Sequence, residues 1–335
     1  MEDSPAVIVV RAPNWLGDTV MALPALRALH AARPASRITV VGPWAPLLSG
    51  QGVGDILLPY PHGLGERRRL ARALRPERPE LAVLLPNSFE SALAAWRWGA
   101  RRRVGFDADG RGALLTDAIP LPSPRQHQVD EYATLIAFLG VPVEERLPVW
   151  RLPEDRLETQ KVTALLAQAG AAADKRLVGL HLGAAFGSSK LWPSEFFGRL
   201  AGRLLEEGAQ PVLMGVPADE RTAAAVVQSA RCAVPSLVGR DRAASLPRLL
   251  ARLDCLVSGD TGVAHLAAAL RIPTVTLFGP TDKRLTAPRS VSAQVLDHDA
   301  PCAPCFLPAC PIDHICLRGI GPDEVHARVR QAIRA

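Results

Sequence analysis

A chain of 335 residues is long for one hydrophobic core and predicts two domains. With 48% hydrophobic and 21% charged residues it reads as globular, and no apolar run approaches the roughly 20 residues needed to span a bilayer. The net charge of +6, most of it from Arg, suits an anionic partner, either an anionic membrane surface or nucleic acid, unless it is an inert basic surface. Nucleic acid is the weaker option, because there is no zinc-finger spacing and no aromatic-rich basic strand. The opening Met-Glu-Asp-Ser-Pro is acidic where a signal peptide is basic, which argues against secretion.

In chain order, Ala6–Val10 is a β-branched run, read as a buried strand. The loop Arg11–Gly17 follows. Asp18 opens a helix through Ala32, with Val20, Leu23, Leu26 and Leu29 at three-residue steps. A strand at Arg37–Val41, a basic helix at Glu66–Arg75, a strand at Leu81–Leu85 and a helix at Glu90–Trp98 come next. Arg103–Phe106 is a short strand and Val129–Leu139 a helix. Gly140–Arg151 is rich in Pro and charge and reads as linker, leading to a polar helix at Glu154–Gln168.

A second alternation begins with the strand Leu177–Leu182, then helix Ser194–Glu207, strand Pro211–Met214 and helix Asp219–Ser229. Helix Ala243–Ala251, strand Cys255–Val257, a helix from Val263, the last clear strand Thr274–Phe278 and helix Pro322–Arg334 complete it. Alternating strands and helices predict parallel βαβ units. Both halves are therefore expected to be Rossmann-like α/β domains, with the ligand in a cleft between them. The expected boundaries are 1–152 for the first domain, 153–175 for a linker helix and 176–321 for the second domain. Residues 322–335 form a last helix, expected to turn back towards the first domain.

Five constellations carry chemistry. In Asn14–Thr19, Gly17 allows close backbone approach and Asp18 follows the first strand; Asp18 suits a helix N-cap or a general base facing the cleft. In His181–Pro193 a Gly/Ser loop carries one Lys190, able to neutralise a phosphate as a point charge, though Gly183, Gly187 and Lys190 lack P-loop spacing. Trp192 reads as packing. In Met214–Arg221 the acidic pair Asp219 and Glu220 opens a helix, suiting ribose hydroxyls or the helix dipole. In Leu256–Leu270, Asp260, Thr261 and Gly262 sit where a strand hands over to a helix, and His265 lies on the same face as Thr261. The Thr261 hydroxyl and backbone N–H, the Gly262 N–H and the His265 ring make a phosphate pattern. Finally, Cys302, Cys305, Cys310 and Cys316 lie within fifteen residues, with His298 and His314 nearby. They admit a zinc or iron–sulfur site, or a loop of reduced thiols.

With these pieces placed, the chain resembles the ADP-heptose:lipopolysaccharide heptosyltransferases, inverting glycosyltransferases of the GT-B fold. The resemblance runs over nearly the whole chain. It rests on Gly17-Asp18, on Gly187-x2-Lys190-x-Trp192-Pro193 and on Gly215-x-Pro217-x-Asp219-Glu220. It also rests on Asp260-Thr261-Gly262-x2-His265 and on Phe278-Gly279-Pro280-Thr281. The Cys-x-Pro-Cys-Phe run resembles the heptosyltransferase II branch rather than the paralogue that adds the first heptose.

The resemblance implies transfer of heptose from ADP-L-glycero-D-manno-heptose to a heptose of the lipopolysaccharide inner core, with inversion and release of ADP. It implies Asp18 as catalytic base and Lys190 against the donor diphosphate. Asp219, or Glu220 if the alignment slips by one, falls near the ribose; Asp260 falls by the donor sugar hydroxyls; Thr261, Gly262 and His265 fall on the phosphate side. No cofactor or catalytic metal is implied, so a metal at the cysteines would be structural. The expected partners are ADP-heptose and an anionic acceptor, with no nucleic acid. The expected location is the cytoplasm, peripheral on the inner membrane, with Glu66–Arg75 and Arg101–Arg103 meeting the acceptor or the membrane. Rivals are another nucleotide-sugar enzyme on the same fold, such as the first heptosyltransferase or an epimerase, and a non-catalytic nucleotide-binding module. An NAD oxidoreductase is disfavoured because no G-x-G-x-x-G follows the first strand.

Overall fold

An unbroken β-branched run has no polar face to offer solvent, so it belongs in a parallel sheet covered on both sides. The N-terminal run does so as β1 (Val7–Arg11), buried from Ile8 onward. The computed structural model describes residues 6–172, 174–240 and 242–334 and divides into two compact units, Met1–Val149 and Trp150–Ala335. The acidic opening pentapeptide, on which the argument against a signal peptide rests, lies outside the described residues.

In the first unit β1 is followed by α1 (Leu16–Met21), α2 (Leu23–Ala32), β2 (Arg37–Val41), β3 (Ile56–Leu58) and α3 (Leu64–Leu74). Then come β4 (Leu81–Leu84), α4 (Phe89–Arg97), β5 (Arg102–Asp107), β6 (Asp117–Pro120) and α5 (Gln128–Ala137). The strands are parallel in the Rossmann order β3-β2-β1-β4-β5-β6. The order reverses between β1 and β4, so the carboxyl ends of these two strands are where an open α/β sheet takes a ligand.

The single helix expected over Asp18–Ala32 is two. It starts earlier, at Leu16, and breaks at Ala22, because Pro24 has no N–H for the Val20 carbonyl and its ring crowds that carbonyl. Asp18 is therefore not the N-cap; Trp15 is, and Asp18 lies in the first turn. β3 and β6 went unforeseen. Both are short edge strands, and Asp-Ala-Ile-Pro has no apolar run to announce it.

The second unit runs α6 (Arg156–Gln168), β7 (Leu177–His181), α7 (Ser194–Glu206), β8 (Gln210–Met214), α8 (Glu220–Ala230) and α9 (Leu246–Leu250). It continues β9 (Cys255–Gly259), α10 (Gly262–Ala269), β10 (Thr274–Phe278), α11 (Lys283–Thr286), β11 (Ala293–Asp297), α12 (Ile315–Arg318) and α13 (Pro322–Arg334). Its parallel sheet has the order β11-β10-β9-β7-β8, reversing between β7 and β9. Thr274–Phe278 is thus not the last strand; β11 follows, half-buried at an edge, so its sequence lacks the continuous apolar signature. The core joins Val178 and Leu180 of β7, Leu213 of β8, Val257 of β9 and Leu277 of β10 to Phe197, Leu200 and Leu204 of α7. Each such side chain contributes about 1.5–3 kcal/mol by burial. Val325, Val329 and Ala332 of α13 complete this same core against α7, β9 and β10, so its apolar face is used within its own unit.

Candidate functional site

In the second unit, three of the expected site residues meet beyond the carboxyl ends of β7 and β9. Lys190 ends a single turn, 188–190, after β7. Its Nζ donates to Asp260 Oδ2 at 2.5 Å and to the Asp260 carbonyl at 3.1 Å. The two side chains are only 11% and 7% exposed. Thr281 Oγ1 donates to the same Oδ2 at 2.7 Å, and His265 Nε2 lies 3.8 Å from Oδ1. Gly259 permits this approach, since a Cβ there would sit 2.9 Å from the Lys190 carbonyl oxygen. Burial alone would raise the Asp260 carboxyl, but the His265 imidazole and the Lys190 charge outweigh it and hold it down at about 2. Lys190 Nζ also stands 4.9 Å from the centre of the Phe186 ring, a cation–π distance.

Thr261 caps α10, its Oγ1 accepting from the Ala264 N–H at 3.5 Å. The same oxygen pairs with Ser258 Oγ at 2.9 Å, which in turn pairs with His181 Nδ1 at 3.3 Å. Burial holds the His181 imidazole down at about 4, so it is neutral near pH 7. The expected trio of donors is thereby altered: the Thr261 hydroxyl is engaged inward and His265 turns to Asp260. What α10 offers an anion is the backbone N–H groups of its first turn, Gly262 included, and the positive end of its dipole. His181, Ser258 and Thr281 were not among the expected site residues. Two of them lie on strands, where a polar side chain at a strand's carboxyl end looks like any other strand position.

Asp219 closes the turn 217–219 and its Oδ2 accepts from the Val216 N–H at 2.9 Å. A Cβ on Gly183 would collide with that carboxylate, and one on Gly215 would lie 2.6 Å from it. Glycines at the ends of β7 and β8 therefore make room for Asp219. Glu220, at the start of α8, is exposed. Trp192 is a core residue, 3% exposed, with Nε1 donating to the Ile320 carbonyl at 3.0 Å and its ring edge-on to Phe197. Pro193 precedes α7 as its N-cap. Cys302, Cys305, Cys310 and Cys316 are free thiols, and among the described residues no group of three or more His, Cys, Asp or Glu could hold a metal ion.

In the first unit, Asp18 is half-buried in the first turn of α1, where the helix dipole favours its charge. Burial first, and the Asp18 charge next, push the buried Tyr132 hydroxyl well above its ordinary value. Arg11 ends β1, fully buried, with its guanidinium 3.9 Å from the Tyr60 ring centre and Nη2 donating to Asn14 Oδ1 at 2.5 Å. Arg67 covers the same ring at 5.0 Å, and Tyr60 donates to Glu90. Arg111, also fully buried, donates to the Phe106 carbonyl at 2.9 Å, Ser91 Oγ at 2.8 Å and Asn87 Oδ1 at 3.2 Å. Burial brings its guanidinium down to about 10. Two buried guanidiniums thus stand at the strand ends of this unit. Neither was foreseen, because isolated arginines carry no spacing.

The expected basic surfaces divide. Arg68, Arg69 and Arg72 of α3 are exposed. In the run Arg101–Arg103, Arg102 pairs with Asp117 at 2.9 Å and Arg103 donates to the carbonyls of Leu114 and Ala100, both at 2.7 Å. Those two arginines serve the sheet edge.

Comparison with known proteins is consistent with this geometry. The model of glycosyltransferase family 9 (heptosyltransferase) matches residues 67–316. The chain is 33% identical over 307 residues to lipopolysaccharide heptosyltransferase 2 of Escherichia coli (strain K12), covering 86% of this chain and 87% of the relative. It is 30% identical over 310 residues to lipooligosaccharide heptosyltransferase 2 of Haemophilus influenzae, covering 86% and 88%. The solved structure of E. coli ADP-heptose lps heptosyltransferase II superposes with a TM-score of 0.79 at 29% identity, covering 98% of both chains. The chain is a glycosyltransferase and belongs to glycosyltransferase family 9, the heptosyltransferases.

Proposed function

We propose that this enzyme moves heptose from ADP-L-glycero-D-manno-heptose to a heptose of the anionic lipopolysaccharide inner core, inverting the anomeric carbon and releasing ADP. The observation that carries the proposal is the buried Lys190–Asp260–Thr281 cluster beside the start of α10, at the point where the strand order of the second unit reverses. Inverting transfer needs a base for the incoming hydroxyl and positive charge for the departing diphosphate. Each unit supplies one of these at the carboxyl ends of its strands. Asp18 takes the proton of the acceptor hydroxyl as its oxygen bonds to the anomeric carbon. The bond from that carbon to the ADP oxygen breaks, and the new charge goes to Lys190 and the first-turn N–H groups of α10. Asp260 keeps Lys190 in place and faces the donor sugar hydroxyls; Asp219 takes the ribose. No step in this scheme calls for a metal. Arg11 and Arg111 give the first unit a positive field that suits an anionic acceptor.

Among the described residues no helix is long and apolar enough to cross a membrane. The proposed location is the cytoplasmic face of the inner membrane, reached through the exposed arginines of α3. The direct test mixes enzyme, ADP-heptose and a heptose-terminated inner-core acceptor and follows ADP. Release of ADP that depends on acceptor, and that is lost in Asp18→Asn, is the expected result. Free heptose without acceptor, or an epimerised nucleotide-sugar, would replace this reading by a hydrolysing or epimerising one.

A further inference from the structure

Two loops carry the side chains that donate to Asp260 in the second unit's site. One is the turn ending in Lys190, and the other, just after β10, carries Thr281. A single cysteine-rich segment, residues 306–317, holds both. The Ser189 N–H donates to the Pro308 carbonyl at 3.1 Å, and His314 Nε2 lies 3.2 Å from the Ser188 carbonyl. A carbonyl only accepts, so Nε2 carries the proton. On the other side the Phe306 N–H donates to the Pro280 carbonyl at 2.8 Å. A Cβ on Gly279 would lie 2.9 Å from Cys316 Sγ and 2.8 Å from Leu317 Cγ, so the two segments are in direct contact there. Gly187, with φ +147°, packs so closely on Pro308 that a Cβ would collide with its carbonyl oxygen. Phe306 and His314, two of the residues that make these bonds, both have left-handed backbones, with φ 55° and 49°. That conformation is uncommon for residues with a side chain, and for Phe it is an outlier. It persists where surrounding structure over-determines the chain, a pattern associated with functional sites.

We propose that the segment 306–317 is a clamp that sets the position of Lys190 for the reaction, with His314 as a positioning residue acting through the Ser188 carbonyl. The proposal rests on the reading of Lys190 as the cation for the departing diphosphate. A lysine held within a few tenths of an ångström of its working place acts far better than one on a loose turn. The clamp reaches both Lys190 and the Thr281 loop that shares Asp260 with it, so loosening it disturbs charge placement rather than acceptor binding.

The test compares His314→Ala, His314→Gln, Gly187→Ala and Lys190→Ala with the unaltered enzyme. The readouts are kcat, KM for acceptor, ADP affinity by titration calorimetry, and melting temperature. Gln can place an N–H donor near the position of Nε2. The expected result is a roughly tenfold fall in kcat for His314→Ala and Gly187→Ala, with the acceptor KM unchanged, and recovery to within about threefold in His314→Gln. If Lys190→Ala is nearly inactive while folded His314→Ala and Gly187→Ala turn over normally, the clamp is overturned and the role of Lys190 stands. An equal loss in His314→Gln and His314→Ala overturns the hydrogen-bonding role of His314. Full activity in Lys190→Ala overturns the reading on which the clamp rests.

Discussion

The Lys190 ammonium and the Asp260 carboxylate lie 2.5 Å apart, both about nine-tenths buried, with Thr281 donating to the same carboxylate oxygen. Removing one member strands the other. Lys190→Met should destabilise the enzyme by about 3 kcal/mol, because a buried carboxylate is left with only Thr281 and His265. It should also lower kcat by roughly a hundredfold through loss of the cation for the leaving group. The double variant Lys190→Met/Asp260→Asn, with no charge left to strand, should regain most of the stability and none of the rate. Urea unfolding and an ADP-release assay read the two effects separately. A double variant as unstable as Lys190→Met would mean that the pair is not what the carboxylate depends on.

Asp18 poses a different question, because its position in the first turn of α1 gives it a structural use as well. Asn at the same place gives up the helix-dipole interaction, worth about 0.3–1 kcal/mol, and keeps the size of the side chain. As a base it cannot be replaced by Asn. The expected outcome for Asp18→Asn is therefore a melting temperature close to the original, ADP binding unchanged, and kcat lower by about 10²–10⁴-fold. Calorimetric titration with ADP alongside single-turnover kinetics distinguishes the cases. Turnover close to that of the unaltered enzyme would remove Asp18 from the mechanism.

His181 predicts a pH dependence of stability. Burial brings its imidazole from the usual 6.5 down to about 4, so between those values the unfolded chain binds a proton that the folded chain refuses. The contribution is complete above pH 6.5. It falls as pH drops from 6.5 to 4, by at most about 1.4 kcal/mol per pH unit for one proton, and levels off below 4. In His181→Gln this slope should vanish, while the background from the carboxylates remains. Denaturant unfolding at intervals of half a pH unit measures the difference. An identical slope in both proteins would show that His181 titrates normally.

The parts that were legible in the sequence share one property, a local pattern. β2 and β10 are runs rich in β-branched residues, and α13 repeats its apolar residues at helical spacing, so their extents could be read directly; β1 runs one residue later than Ala6–Val10. β3 and β6 could not, since an edge strand needs only one neighbour and little burial. The site followed the same rule. Asp260, Thr261 and His265 announce themselves by spacing, and Lys190 by its glycine-rich loop. Thr281 reaches Asp260 from twenty-one positions away, and Arg11 stacks on Tyr60, forty-nine positions along, with no motif to connect them. Such pairings are set by which strands become neighbours, and that order is a property of the whole sheet.

The arginines of the first unit give the last prediction. Arg68, Arg69 and Arg72 are exposed on α3, whereas Arg67 of the same helix is turned to Tyr60 and Glu90. A basic side chain near an anionic lipid surface is worth about 1 kcal/mol. Replacing the three exposed arginines by Gln should therefore weaken binding to vesicles rich in anionic phospholipid by roughly a hundredfold, and binding of the unaltered enzyme should weaken as salt rises. Arg102→Gln is the matched control. Its partner Asp117 lies at the sheet edge, so the change should cost about 0–1 kcal/mol of stability and leave vesicle binding as it was. Co-sedimentation with vesicles at two ionic strengths measures this. Equal binding by the triple variant and the unaltered enzyme would assign the basic face of α3 to solvent, and a loss confined to Arg102→Gln would move the contact to the edge of the sheet.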